Sequence, residues 1–431
     1  MGVRTIFNAK RIIVMAWGLH KSLIVKRSVE NNVTSLIPTT YLQNHKNTTL
    51  VLDNESASEL TRFKTPWLVS SIDWIDSMKR RAIVWLCETT GKSILKLTDE
   101  DYNKNGLSDL LALEGSSYDL NINMFNHFQN TITGWPGGKP GADDSTRPER
   151  KSPNSKRVII FSPHPDDDVV SMGGTFDRLV SQGHEVHIAY QVKGNIAVSD
   201  HDALKFIEVS KDMFKNESKI PVSELIKELK NNKPDKIDSQ AVRDLKGFIR
   251  KREAIAATRY IGIPDSNTHF MNLPFYDTGR IKKNPPTKKD VLITASLIKK
   301  IKPHQIFAAG DLEDPHGTHK VCLDVILDAL DTLKGEKFIK DCWLWLYRGA
   351  WLDWDVHDID MAVPMSPAQV LRKRKAIFFH QTQKDGVMFQ GQDLREFWVR
   401  AEERNSETAE KYKKMGLADY AAIESFKRHY Y

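Results

Sequence analysis

The apolar positions follow two rhythms. Beyond residue 155, short largely apolar runs, Val158 to Phe161, Val186 to Tyr190 and Gln305 to Ala309, alternate with stretches of helical spacing. Such runs are what strands buried on both faces of a parallel sheet require. Between the first two runs, Val169, Met172, Phe176, Leu179 and Val180 recur every three or four positions, and Gly183 stands where a helix is capped. This β-α-β unit predicts a Rossmann-like layered α/β domain with helices on both faces of its sheet.

The first part of the chain reads differently. Arg11 to Gly18 reads as a buried strand, Lys21 to Glu30 as a helix and Leu50 to Leu52 as a second apolar run. A β-α-β fragment this small buries too little apolar area to stand alone, so it is expected to be an incomplete α/β fragment covering residues 1–64. Residues 65–133 read as a connector of short helices. Residues 134–154 contain four prolines and four glycines between Gly134 and Pro153, a linker or surface-clinging arm without regular structure. The α/β domain then takes 155–431. Within it, Lys211 to Ser239 reads as a polar, lysine-rich insertion, and Ile281 to Lys289 as a rim loop.

Composition narrows the picture. Apolar residues at 40% and charged ones at 28% belong to a globular chain. The net charge of +7 is spread among many carboxylates without an aromatic-interleaved basic stripe, which argues against a nucleic-acid partner. Three cysteines without a CxxC pair argue against a disulfide framework or a thiolate zinc knuckle and fit a reducing cytoplasm. No apolar stretch reaches membrane-spanning length. An incomplete N-terminal sheet would leave an edge that another subunit can cover, so a homo-oligomer is compatible with the sequence.

Two loops carry the chemistry. Ser162-Pro163-His164-Pro165-Asp166-Asp167-Asp168 follows one strand and precedes a helix, at the carboxyl edge where α/β sheets place ligands. An imidazole and a carboxylate three residues apart can reach one divalent ion, and the carboxylate between them stays free for proton transfer. Asp-rich helix starts also arise as simple caps, though three adjacent carboxylates beside a histidine call for a compensating cation. Asp311 to Lys320, after another strand, adds His316 and His319, a pair that alone would more often be surface or helix-capping than metal-binding. Three protein ligands with an open fourth position describe a catalytic zinc site, another divalent cation being possible. His164, Asp167 and His319 are assigned to the metal, Asp166 to proton transfer and His316 to oxyanion stabilisation.

These segments resemble the PIG-L/LmbE-like family of N-acetylglucosaminyl deacetylases, marked by a His-Pro-Asp-Asp-Glu segment and a later His-x-x-His. Here they stand as His164-Pro165-Asp166-Asp167-Asp168 and His316-Gly317-Thr318-His319. The similarity continues through Gly173-Gly174-Thr175, through Arg250, Glu253, Ala257 and Gly262, and to Lys373, Ala376, His380 and Gln383, over roughly residues 155–400. It implies the same ligand, base and oxyanion roles, and Arg250 as a substrate contact. For Arg250, a helix-surface salt bridge with Glu253 is an equal alternative. Asp168 departs from the family's Glu, and Thr318 from the acidic residue usual before the last ligand.

The first 45 residues resemble the last portion of glucosamine-6-phosphate deaminases, with Lys21 at the place of a phosphate-contacting lysine. The whole is therefore similar to the deaminase–deacetylase fusions of Bacteroidetes. The deaminase's catalytic Asp and His lie upstream of the matching segment, so no deaminase activity is expected. Together, the two loops and the resemblance imply zinc-dependent hydrolysis of the N-acetyl amide of an N-acetylglucosamine-type small molecule, releasing acetate. The alternatives are a phosphoesterase on the same metal or a non-catalytic, sugar-binding fragment. Trp343, Trp345, Trp351 and Trp354, read as lying after the last strand, either pack in the core or stack on a sugar.

Overall fold

The protein is described by a computed structural model covering residues 2–143, 145, 153–213, 222–232, 237–280, 282–312, 314, 317–384 and 395–431. The chain divides into two compact units, 1–125 and 126–431.

In the first unit, strand β1 (Ile12–Ala16), helix α1 (Ser22–Glu30) and strand β2 (Thr48–Leu52) make a two-stranded parallel sheet with Ile12 beside Thr48 and Ala16 beside Leu52. A small buried cluster of Val25, Ala57 and Leu60 packs there, while Ile13, Met15 and Trp17 are more than half exposed. Helix α2 (Asp76–Thr90) buries Ala82, Ile83, Leu86 and Cys87, and Trp67 packs between Trp74 and Trp85. Helix α3 spans Ser117–Thr131.

The second unit is a seven-stranded sheet flanked by helices. Its elements are β3 (Arg157–Ser162), α4 (Asp167–Ser181), β4 (Glu185–Tyr190), α5 (Asp200–Met213), α6 (Val222–Lys230), α7 (Gln240–Ile261), β5 (Thr268–Phe270), α8 (Lys288–Ile301), β6 (Gln305–Ala309), α9 (Thr318–Thr332), β7 (Trp343–Tyr347), β8 (Met361–Met365), α10 (Pro367–Ile377), α11 (Phe397–Lys414) and β9 (Ala422–His429). The spatial order is β5-β4-β3-β6-β7-β9-β8; β5 to β7 in that order are parallel, and β9 runs antiparallel to both neighbours. The three strands expected from apolar runs are present and parallel.

One expectation needs correction. Trp343 and Trp345 do not follow the last strand; they lie on β7, where Trp345 is buried against the core. Within the lysine-rich stretch after Lys211, α6 buries Leu225 and Leu229, one helical turn apart, against α5 and α7. The start of the Pro/Gly-rich segment lies against the α/β unit without regular structure. Pro136 accepts a hydrogen bond from Gln305, and a Cβ on Gly137 would meet the His184 ring at 2.1 Å.

Helix α4 is broken at Met172 (φ −136°), and the following amides of Gly174 and Thr175 donate to the buried carboxylate of Glu424 at 2.9 and 2.6 Å. Lys373 Nζ completes that pocket at 2.8 Å. The Gly173-Gly174-Thr175 and Lys373 positions thus share one structural cause: a helix interrupted to admit a carboxylate, with a Cβ on Gly174 reaching 2.2 Å from Met365 Sδ. Among the described residues no helix is long and apolar enough to cross a membrane.

Candidate metal-binding active site

Strand β3 has β4, its successor in the chain, on one side and β6 on the other. Connections leaving β3 and β6 therefore diverge, which opens a crevice at their carboxyl ends. Both chemistry-bearing loops leave from those two ends.

The first loop is tied down from within. Ser162 Oγ donates to the His164 carbonyl at 2.6 Å and accepts from the Asp168 amide at 3.1 Å, while Tyr190 OH donates to Asp168 Oδ2 at 3.1 Å. Asp168 is an anchor rather than a free carboxylate, and burial pushes its pKa up to about 7. With the loop held, Asp167 Oδ2 lies 3.1 Å from His164 Nδ1 and 3.2 Å from His319 Nε2.

His319 is aimed by the second loop. Its Nδ1–H donates to the Asp311 carbonyl oxygen at 2.7 Å, which leaves Nε2 facing Asp167. Asp314 accepts from the amides of Thr318 and His319 at 2.7 and 3.1 Å and so caps α9 at this point. The Asp311 carboxylate accepts from the amides of Trp351 and Leu352, which fastens the Trp351 loop to the same strand end.

One donor atom each from His164, Asp167 and His319 lies within 4.8 Å of the others, a spacing that can hold a metal ion. The electrostatics agree. Burial alone would lower the pKa of His319, yet the carboxylates of Asp167 and Asp314 raise it to about 10. Burial acts to raise that of Asp167, but His319 and His164 hold it well below the usual range. The surroundings favour a positive charge between these groups, and a mixed nitrogen and oxygen donor set suits zinc.

Asp166 is 17% exposed beside this cluster, and its Oδ1 accepts from Arg250 Nη2 at 2.9 Å. Burial raises its pKa, with Arg250 opposing the shift and Asp167 adding to it. Arg250 is not on a helix surface and does not bridge Glu253. It is 1% exposed and also donates to the Pro165 carbonyl, while Glu253 accepts from the amide and hydroxyl of Thr382. His316 lies outside the described residues. Lys21 is exposed at the end of the 3-10 turn Leu19–Lys21 that leads into α1.

His164, Asp167 and His319 open into a cleft of about 700 Å³, part of it open to solvent. Tyr276, Lys283, Trp351, Gln383 and Phe397 line it with the triad and Arg250. Tyr276, Lys283 and Phe397 had no signal in the sequence, because only the fold brings them to the crevice. Trp351 is half-buried there, its ring edge-on to Phe397 with centroids 5.4 Å apart. Trp354 instead packs in the core, its indole N–H donating to the Leu346 carbonyl.

Residues 159–330 match the family described as PIG-L, GlcNAc-PI de-N-acetylase. This segment is a PIG-L domain. Over nearly its whole length, the chain is similar to a putative glucosamine-6-phosphate deaminase-like protein of Bacteroides thetaiotaomicron, 52% identical over 435 residues, covering 99% of this chain and 66% of that protein. The chain therefore spans less than two thirds of that relative's length. The N-terminal region is similar to a glucosamine-6-phosphate deaminase of Listeria welshimeri, 43% identical over 60 residues, 14% of this chain and 26% of the enzyme. Among solved structures, the N,N'-diacetylchitobiose deacetylase of Pyrococcus horikoshii aligns with a TM-score of 0.41 at 16% identity, over 64% of this chain and 84% of that one.

Proposed function

We propose that the chain hydrolyses the N-acetyl amide of an N-acetylglucosamine-type sugar and releases acetate. The observation that carries this reading is the meeting of two loops, distant in sequence, on Asp167 Oδ2, with the half-paired carboxylate of Asp166 beside them. The PIG-L domain supports it.

Zinc is the cation this donor set suits; held by His164, Asp167 and His319, a divalent cation supplies Lewis acidity toward the acetyl carbonyl and makes water more acidic. Asp166 takes the proton of the attacking water and returns it to the departing amine. A carboxyl whose pKa is raised by burial is suited to both steps. Arg250 binds one Asp166 oxygen and thereby fixes the direction of the other. His316 is retained as the donor to the oxyanion, in keeping with its place three residues before His319.

The test combines metal analysis of purified protein with acetate release from N-acetylglucosamine and its 6-phosphate. Bound metal with acetate release is expected; phosphate release from the 6-phosphate without acetate would turn the reading to a phosphoesterase.

A further inference from the structure

We infer that Lys283 selects amino sugars bearing an anionic substituent, a phosphate or a carboxylate, about one sugar ring away from the acetamide. This rests on the deacetylase reading for the position of the acetamide, but not for the anion site itself.

Lys283 lies on the connection between the 3-10 turn Pro274–Tyr276 and α8, and lines the cleft. Its Nζ stands 3.6 Å from the centroid of the Tyr276 ring, a cation–π contact that fixes the ammonium against the wall. The same ring meets the metal ligand His164 edge-on, with centroids 6.2 Å apart. One aromatic ring therefore separates the ligand triad from the ammonium, and Tyr276 is the ruler between the reacting amide and a charge elsewhere on the substrate.

Among the described residues, the carboxylates lining the cleft are matched. Asp166 is held by Arg250, Asp167 by the two histidines, and Asp314 by the amides of α9. Lys283 differs. Among the described residues its ammonium donates to the Arg280 carbonyl at 2.7 Å and has no carboxylate within 4.0 Å. Asp277, the acidic group that acts on it, lies 3.8 Å from Lys193. Half-burial pushes the Lys283 ammonium down to about 8, the mark of a cation that has lost water without gaining a full counter-charge. An anion entering the cleft would supply that charge in strong, charge-assisted hydrogen bonds. A neutral sugar would leave it unmet.

Two measurements on the full chain, loaded with zinc, test this. Calorimetry compares binding of glucosamine with that of glucosamine 6-phosphate, independently of turnover. Acetate release compares N-acetylglucosamine with its 1-phosphate, its 6-phosphate and N-acetylmuramic acid, which separates phosphate from carboxylate and one ring position from another. At least one anionic compound is expected to be favoured by about tenfold or more, through Kd or KM. In Lys283→Met that ratio should fall to within about threefold of unity, and Lys283→Arg should restore part of it. Equal handling of neutral and anionic compounds by the unaltered protein, or a ratio that Lys283→Met leaves in place, overturns the inference. Preferential binding without acetate release would instead leave the anion site standing and sink the deacetylase reading.

Discussion

Arg250 Nη2 and Asp166 Oδ1 meet at 2.9 Å at a place where the guanidinium has almost no access to water. Arg250 also bonds the Pro165 carbonyl, so one side chain holds both the base and the loop that presents it. Arg250→Met should lower kcat by about 100-fold, the size of effect a misplaced base produces. Arg250→Lys should recover only part, since an ammonium cannot reproduce the forked geometry. Steady-state acetate release checks both; a wild-type kcat in Arg250→Met would show that Asp166 needs no such support.

Asp166→Asn removes the proton acceptor while leaving the ligand triad in place. Turnover should fall by about 10²- to 10⁴-fold. Zinc content per chain should stay near the wild-type value, because Asp166 is not among the ligands. Metal lost together with activity would mean that the two carboxylates have exchanged roles.

The carboxylate of Glu424 fills the break in α4 and pairs with Lys373, both side chains being buried. Glu424→Gln leaves the Lys373 ammonium without its counter-charge and should cost about 3 kcal/mol of unfolding free energy. Urea titration reads this, and a loss below about 1 kcal/mol would mean the pocket tolerates an unpaired cation.

Parts of this arrangement were legible in the sequence for a physical reason. β3, β4 and β6 are largely apolar because both faces of a central parallel strand are covered, and the loops after β3 and β6 show the candidate ligands directly. β9 was not legible. Its segment Ala422–His429 carries Glu424, Ser425, Lys427 and Arg428, and Glu424 finds its partners far away in sequence, in Lys373, 51 positions earlier, and the amides of Gly174 and Thr175. The tryptophans of β7 hid a strand for a different reason: the segment Trp343–Tyr347 is buried along nearly its whole length, so its pattern does not alternate. α6 was obscured by lysines around its two buried leucines. In the site, His164, Asp167 and His319 could be paired from chemistry alone, whereas Tyr276 and Lys283 reach the cleft through a connection with no recognisable pattern of its own.

His380 gives the protein a pH dependence. Its ring is fully buried, both nitrogens lack a hydrogen-bond partner among the described residues, and burial pushes its pKa down to about 3, with Arg250 adding to the shift. The unfolded chain takes up a proton near pH 6.5 that the folded chain refuses until about 3, so this contribution is full above 6.5 and is lost as pH falls through that window. Stability should drop by about 1.4 kcal/mol per pH unit on this account. Denaturant unfolding of the wild type and His380→Asn between pH 7 and 4 should show a shallower slope in the variant; parallel slopes would place the titration elsewhere.

A crystal structure of zinc-loaded protein with anomalous data collected at the zinc edge tests the meeting of the two loops on one cation. A single strong peak about 2.0–2.2 Å from donor atoms of His164, Asp167 and His319 is expected. A peak bound by other residues, or no peak between these three in protein that carries zinc, would contradict it.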